Sequence, residues 1–253
     1  MKYAKSRAAF LALVLVCLGA NCGLVGCLQP TSDNAPSAGQ SVEPSRQLGA
    51  NINPPSAPEE VVAELPQQRA EFETTLTRTE KDEEPLPEPP DGMFDIVHYE
   101  SPAGELAAYL TPDPDDGKRH PAIIWITGGF CNSVGDTPWM ESSLDNDQSA
   151  RQYREAGIVM MYPTLRGGNG NPGQAEGLYG EVDDVLAAAE FLSEQTYVDP
   201  QRIYLGGHST GGTLALLAAE MGGQFRAVLS FGPVHDVTGY GEAFLPIDLE
   251  DEQ

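Results

Sequence analysis

Hydrophobic and polar positions change their rhythm twice along the chain. Ala8 to Ala20 run without a charge behind the positive head of Lys2, Lys5 and Arg7. A bilayer span takes about 20 apolar residues, so this shorter run predicts a cleaved export signal rather than an anchor helix. From Leu28 to Gly92 no apolar period is sustained, and this stretch holds 11 of the 21 prolines with 13 acidic and 4 basic residues. Such a segment buries too little apolar surface to offset the entropy of ordering, and its like charges extend it. Val61, Val62, Leu65, Phe72 and Leu76 allow one weak helix between Glu59 and Lys81, interrupted by Pro66.

From Met93 onward strands and helices alternate. Phe94 to Tyr99 and Glu105 to Leu110 predict a hairpin, with Pro102 and Gly104 in the joining segment. Pro121 to Thr127 is a solid apolar run, as expected of a strand covered on both faces, and Trp125 is core within it. Gln148 to Ala156 predicts a helix and Gly157 to Tyr162 a second buried strand. Glu181 to Gln195 is amphipathic, with Val182, Val185, Leu186, Ala189 and Leu192 recurring at three and four. Arg202 to Leu205, Thr210 to Met221 and Ala227 to Phe231 then predict strand, helix and strand. This order predicts an α/β fold with a doubly wound, mostly parallel sheet. No internal repeat is present.

Charge narrows the partners. With 14 Lys plus Arg against 38 Asp plus Glu, the net charge is −24, which argues against binding a nucleic-acid backbone. Of four cysteines, Cys17, Cys22 and Cys27 lie in the leader, and Cys131 stands alone in the body. That leaves no intramolecular disulfide after processing and no metal-ligand spacing, and Cys131 reads as a small packed side chain. Asp113-Pro-Asp-Asp-Gly117 lacks a Glu at the twelfth position of a calcium loop and reads as a turn.

Leu24-Val25-Gly26-Cys27 resembles the bacterial lipoprotein signal, in which a Cys after small residues is acylated and becomes the new N-terminus. Val16 and Asn21 make Cys17 and Cys22 poorer matches. An ordinary secretory signal and an uncleaved helix are the alternatives. The lipoprotein resemblance implies a mature chain from Cys27, attached to a membrane through its N-terminal lipid, in the bacterial cell envelope.

The chemistry gathers at one turn. Gly207-His208-Ser209-Thr210-Gly211 fits the G-x-S-x-G nucleophile elbow, a short pattern that also recurs by chance. Its context is the informative part: Ile203-Tyr204-Leu205 precedes it as a strand, and Leu214 to Glu220 follow as a helix. A nucleophile on so sharp a turn needs neighbours without side chains two positions before and after, which Gly207 and Gly211 provide. The helix start then aims the Thr210 N–H at a developing oxyanion. Thr127-Gly-Gly-Phe130 closes the apolar strand, and Gly129 or Phe130 is the candidate second donor, against the plainer reading of a glycine turn.

Four motifs, in order and spacing, carry a family resemblance. Tyr162-Pro-Thr-Leu-Arg-Gly167, Gly180-Glu-Val-Asp-Asp184, Val198-Asp-Pro-Gln-Arg-Ile203 and Gly206-Gly-His-Ser-Thr-Gly-Gly212 resemble the catalytic domain of prolyl-oligopeptidase-like serine hydrolases. The resemblance covers about Pro121 to Asp236. It implies an α/β-hydrolase fold over residues 93–253, after a signal at 1–26 and a disordered tether at 27–92. It also implies acyl transfer through Ser209 on a peptide or small ester, with no metal and no organic cofactor required. It does not choose between peptidase and esterase. The tether occupies the place where large oligopeptidases carry a β-propeller.

The fold's usual order is serine, then acid, then histidine. Downstream of Ser209 only His235 is present, beside Asp236, directly after the next strand and early for the family positions. His235 is therefore a weak candidate base. His208 reads as structural, and His98 and His120 precede the nucleophile. Arg166 is expected to brace its loop by pairing with an acid such as Glu181, and Asp183 and Asp184 to favour a helix start. Ending soon after Phe231 is expected to leave that strand as an exposed apolar edge, a fold incomplete at its C-terminal side. A chain missing its triad acid and histidine is the expectation, and the segment downstream of Gln253 would test it. A catalytically dead hydrolase-like binding or scaffold protein is the alternative from another class, and a dienelactone-hydrolase-like esterase the narrower one.

Overall fold

The computed structural model describes residues 59–140, 147–222 and 224–240, all within the compact unit 54–253. The signal, Cys27 and the tether as far as residue 58 lie outside the described residues.

β1 (Asp95–Ser101) and β2 (Gly104–Leu110) form the expected hairpin, paired antiparallel from Asp95↔Leu110 to Ser101↔Gly104. β3 (His120–Ile126), β4 (Val159–Pro163), β5 (Val198–His208) and β6 (Ala227–Phe231) complete a six-stranded sheet of order β1-β2-β4-β3-β5-β6. β4, β3, β5 and β6 run parallel, and β2 meets β4 antiparallel. Every residue of β4 and five of seven in β3 are buried, as a strand covered on both faces requires.

Alternation along these strands divides the core into two layers. Ile124, Ile126, Met161 and Leu205 face α3 (Glu181–Glu194) and α4 (Thr210–Met221), meeting Val182, Val185, Ala189, Leu192, Leu214 and Ala218. Ile123, Trp125, Met160 and Tyr162 face the opposite layer with Phe94, Trp139 and Tyr153. There α2 (Arg151–Glu155) is shorter than the 148–156 its pattern suggests, because Ala150 takes a left-handed φ of 49° immediately before it. β5 is longer than the sequence implies. Instead of Arg202 to Leu205 alone, the strand begins at Val198 opposite His120, with a register shift between His120 and Ala122.

Part of the segment expected to be a disordered tether lies on the domain. α1 (Glu59–Glu71) continues through Pro66, and from it an extended strap, residues 72–92, leads to β1. Arg69 pairs bidentately with Asp183, and its guanidinium lies over the Tyr179 ring at 4.7 Å, while Phe72 packs against the same ring. Thr74 donates to Glu176, Ala175 N–H donates to the Glu80 carbonyl, and the Tyr109 hydroxyl donates to the Pro87 carbonyl. Directed hydrogen bonds hold this stretch, and they need no apolar period.

Candidate active site

Topology locates the site before any motif does. The chain leaves β3 through α2 to one side and leaves β5 through α4 to the other, so a crevice opens outside the carboxyl ends of β3 and β5. The two segments at that crevice are Thr127–Val134 and the turn His208-Ser209-Thr210.

Ser209 has φ 54° and ψ −120°, a conformation that L side chains rarely adopt, between the last residue of β5 and the first of α4. Its N–H donates to the Phe231 carbonyl at 2.7 Å, and its carbonyl accepts from Thr213 N–H at 3.0 Å. The turn is thus clamped to β6 on one side and to the first helical turn on the other. The glycine requirement has a steric cause that the packing displays. A Cβ at Gly207 would collide with the Gly211 carbonyl, and one at Gly211 with the Ile126 and Thr127 carbonyls. Gly206 lies flat against Trp125, where a Cβ would come within 2.8 Å of the indole.

The β3 loop closes against this turn. A Cβ at Gly128 would lie 3.2 Å from Ser209 Cβ and 3.1 Å from the His208 carbonyl, so the loop backbone touches the elbow directly. Gly129 follows at φ 75°, and Phe130 is partly exposed. Thr210 is buried at the start of α4, where backbone N–H groups have no intrahelical acceptor. One crevice therefore brings together Ser209, the start of α4 and the Gly128–Phe130 segment.

Behind the loop stands a buried polar hub that the sequence assigns to other partners. Arg166 reaches Asp184 through Nε and Nη2, both at 3.0 Å, and Glu176 through Nη1; it does not pair with Glu181. Asp184 also accepts from the Arg166 N–H and the Ser101 hydroxyl, so it is a buried counter-ion as well as a residue of a helix start. Glu181 is fully buried, and its Oε1 accepts from Asn132 Nδ2 at 2.9 Å and from Glu176 N–H at 2.7 Å. Its Oε2 meets no hydrogen-bond partner among the described residues. Burial raises its pKa above the ordinary carboxylate value, against the opposing pull of these hydrogen bonds and Arg166. A small pocket of about 30 Å³ lies here, lined by Phe130, Asn132, Glu181 and the strap residue Glu80 among others. A larger apolar cavity of about 420 Å³, lined by Phe72, Tyr179, Leu217 and Met221, includes none of the crevice residues. Cys131 is buried, and burial pushes its thiol pKa well up, consistent with a packed side chain.

Among the described residues no hydrogen bond joins any histidine to Ser209. His235 is exposed in the loop after β6, next to a segment whose Val234 N–H donates to Thr213 Oγ1. His208 Nδ1 is buried without a partner among the described residues, and a Gly128 Cβ would lie 3.2 Å from it. His120 pairs with Asp116 at 3.0 Å, at the foot of β3, in the loop read as a turn. Among the described residues β6 is the last strand of the sheet, and Phe231 is 46% exposed.

Comparison with known proteins agrees with this geometry. Residues 145–250 match the prolyl oligopeptidase family profile, peptidase S9. An uncharacterized peptidase, YtmA, of Bacillus subtilis is 28% identical over 129 residues, 51% of this chain and 47% of that protein. The prolyl endopeptidase FAP of Mus musculus is 28% identical over 162 residues, 56% of this chain and 20% of that protein. Dipeptidyl-peptidase 5 of Porphyromonas gingivalis is 29% identical over 138 residues, 51% of this chain and 19% of that protein. The chain therefore spans about half the length of the first relative and about a fifth of the other two. With the sheet and the elbow, these matches make the chain similar, over residues 145–250, to the prolyl oligopeptidase family.

Proposed function

We propose that the chain is a serine hydrolase that cleaves a peptide or ester bond through an acyl-enzyme on Ser209. The observation that carries this reading is the strained φ of Ser209 at a strand-to-helix turn with the Gly128 backbone against it. In this mechanism Ser209 Oγ adds to the carbonyl carbon as its proton passes to a base. The oxyanion is held by Thr210 N–H and by the N–H of Gly129 or Phe130. The leaving amine or alcohol departs with a proton, and water then cleaves the acyl ester and restores the hydroxyl. Peptide substrates are the favoured class, because the relatives reported above are named as peptidases. His235 is the one histidine after Ser209 in this sequence and remains its weak candidate base.

A second reading, a hydrolase-like binding or scaffold protein without catalysis, is favoured by the missing histidine contact to Ser209 among the described residues. Fluorophosphonate labelling of the purified mature chain separates the two. Labelling that disappears in Ser209→Ala supports an activated nucleophile. A folded chain that stays unlabelled overturns activity for these residues, and labelling of a chain extended past Gln253 then separates a hydrolase completed downstream from the binding protein.

The lipoprotein-like Leu24-Val25-Gly26-Cys27 supports attachment to a bacterial membrane through a lipid at Cys27. Cys27→Ser is then expected to move the protein from the membrane fraction to the soluble one, and unchanged fractionation overturns the attachment.

A further inference from the structure

We infer that Asp82, at the middle of the strap, is a positioning residue that locks the β3 loop beside Ser209. The inference rests on the serine-hydrolase reading for its catalytic meaning and on the geometry alone for its structural one. Three groups of this one residue reach two different loops. Its N–H donates to the Gly167 carbonyl at 2.7 Å, and its carbonyl accepts from Gly170 N–H at 2.7 Å. Its Oδ2 accepts from the Ser133 hydroxyl at 2.6 Å, and its Oδ1 accepts from Glu84 N–H at 3.0 Å, which fixes the carboxylate's orientation.

Ser133 belongs to the segment that starts at Gly128, and Gly167 and Gly170 to the loop after β4. The two loops already interlock. Ser133 Oγ accepts from Asn169 N–H at 3.2 Å, Asn169 Oδ1 accepts from Val134 N–H at 2.7 Å, and Leu165 N–H donates to the Asn132 carbonyl at 2.8 Å. Gly168 has no room for a side chain, because a Cβ there would enter the Asn132 carbonyl. Asp82 crosses this seam from outside and closes it into a ring. Gly129 and Phe130 lie between the lock at Ser133 and the contact of Gly128 with the elbow. Their N–H groups therefore inherit their direction from two anchored ends. An oxyanion donor must be aimed before the charge develops, since a donor that reorients during reaction loses much of its effect. The strap thus supplies preorganisation to the site from a part of the chain whose composition reads as a spacer.

The test uses the mature chain with Asp82→Ala, Asp82→Asn and Ser133→Ala. Amide hydrogen exchange is read at residues 129–134 and 166–170, alongside the fluorophosphonate labelling of Ser209 at varied reagent concentration. Both alanine variants are expected to speed exchange in these two loops about tenfold, with α3 and α4 unchanged. They are also expected to lower the maximal labelling rate about tenfold while leaving the half-saturating concentration in place. Asp82→Asn keeps an acceptor for Ser133 and is expected to restore most of both. If Asp82→Ala does not fold, Ser133→Ala removes the bond from its other end together with the acceptor for Asn169 N–H, and comparison with Asn169→Ala, which loosens the same seam and leaves the Asp82 bond in place, apportions the two. Unchanged loop exchange in the alanine variants overturns the inference. So does faster exchange with an unchanged maximal labelling rate. If the wild-type chain takes no label, these residues by themselves carry no activated nucleophile, and the exchange arm still decides whether Asp82 holds the loops.

Discussion

The conformation of Ser209 makes a prediction that separates function from stability. At φ 54° and ψ −120° a residue with a Cβ is strained, at a cost of about 1–3 kcal/mol, and glycine adopts the same angles freely. Ser209→Gly is therefore expected to abolish labelling and to raise stability by about 1 kcal/mol, after allowance for the entropy of an added glycine. Ser209→Ala abolishes labelling too but keeps the Cβ, so its unfolding midpoint should stay at the wild-type value. Denaturant titration of the three proteins checks this, and a glycine variant no more stable than the alanine one would count against strain. Glu181 gives a second residue-scale expectation. Burial raises its pKa in the folded state, so the folded chain binds its proton more tightly than the unfolded chain does. Its contribution is fully present below the unfolded carboxylate pKa and is lost as pH rises through the folded value. Glu181→Gln keeps an acceptor for Asn132 and Glu176 and carries no charge. The variant is expected to be more stable than wild type at pH 7, with the difference shrinking as pH falls. Urea titrations across that range read the sign directly.

At the scale of elements, the α4 start is held by contact rather than by helix propensity. Gly211 sits in the first turn of α4, where alanine is intrinsically the better helix former by about 1 kcal/mol. Packing reverses that preference, because a methyl group there would enter the Ile126 and Thr127 carbonyls of β3. Gly211→Ala is expected to destabilise the protein by about 3 kcal/mol and to slow Ser209 labelling, because relief of the clash moves β3 and its loop away from the turn. A stabilised Gly211→Ala variant would mean that propensity wins and the strand–helix contact is loose. The same contact explains why the elbow was legible in the sequence: each glycine answers a close backbone approach, and that requirement is written in residue type. The hairpin, β3, β4 and α3 were legible for a similar reason, since Ile123, Ile124, Met160 and Val185 mark burial by composition and period. Other features were not. The extension of β5 to Val198 runs through Asp199-Pro200, whose local chemistry says turn, and only pairing with His120 overrides it. The Arg166 partner was misread because Glu181 and Asp184 stand one helical turn apart, and sequence alone does not say which carboxylate the loop presents to the guanidinium.

At the scale of the whole molecule, the illegible part is the strap, and its invisibility has a physical reason. Burial periodicity reports apolar contacts, whereas residues 69–92 bind through a guanidinium, a hydroxyl, three backbone hydrogen bonds at Glu80 and Asp82, and a carbonyl at Pro87. Composition and structure here make opposed claims about where the folded domain begins, and two deletions distinguish them. Removing residues 28–58 takes away proline-rich chain with few charged and few apolar side chains, so the unfolding free energy is expected to stay within about 0.5 kcal/mol of wild type. Removing residues 28–92 also uncovers Tyr179, leaves Asp183 without Arg69, and deprives Gly167, Gly170 and Ala175 of their partners. Each net hydrogen bond is worth about 1 kcal/mol and the half-buried ion pair no more than that, so a loss of about 3–5 kcal/mol is expected. The loss should appear as a lower denaturant midpoint for the longer deletion alone, since both variants keep the same sheet and the same α3–α4 layer. Equal midpoints for the two deletions would return the strap to the role of a spacer. A drop confined to the longer deletion would instead make residues 59–92 part of the folded domain, joining the segment from Cys27 to the loops around Ser209.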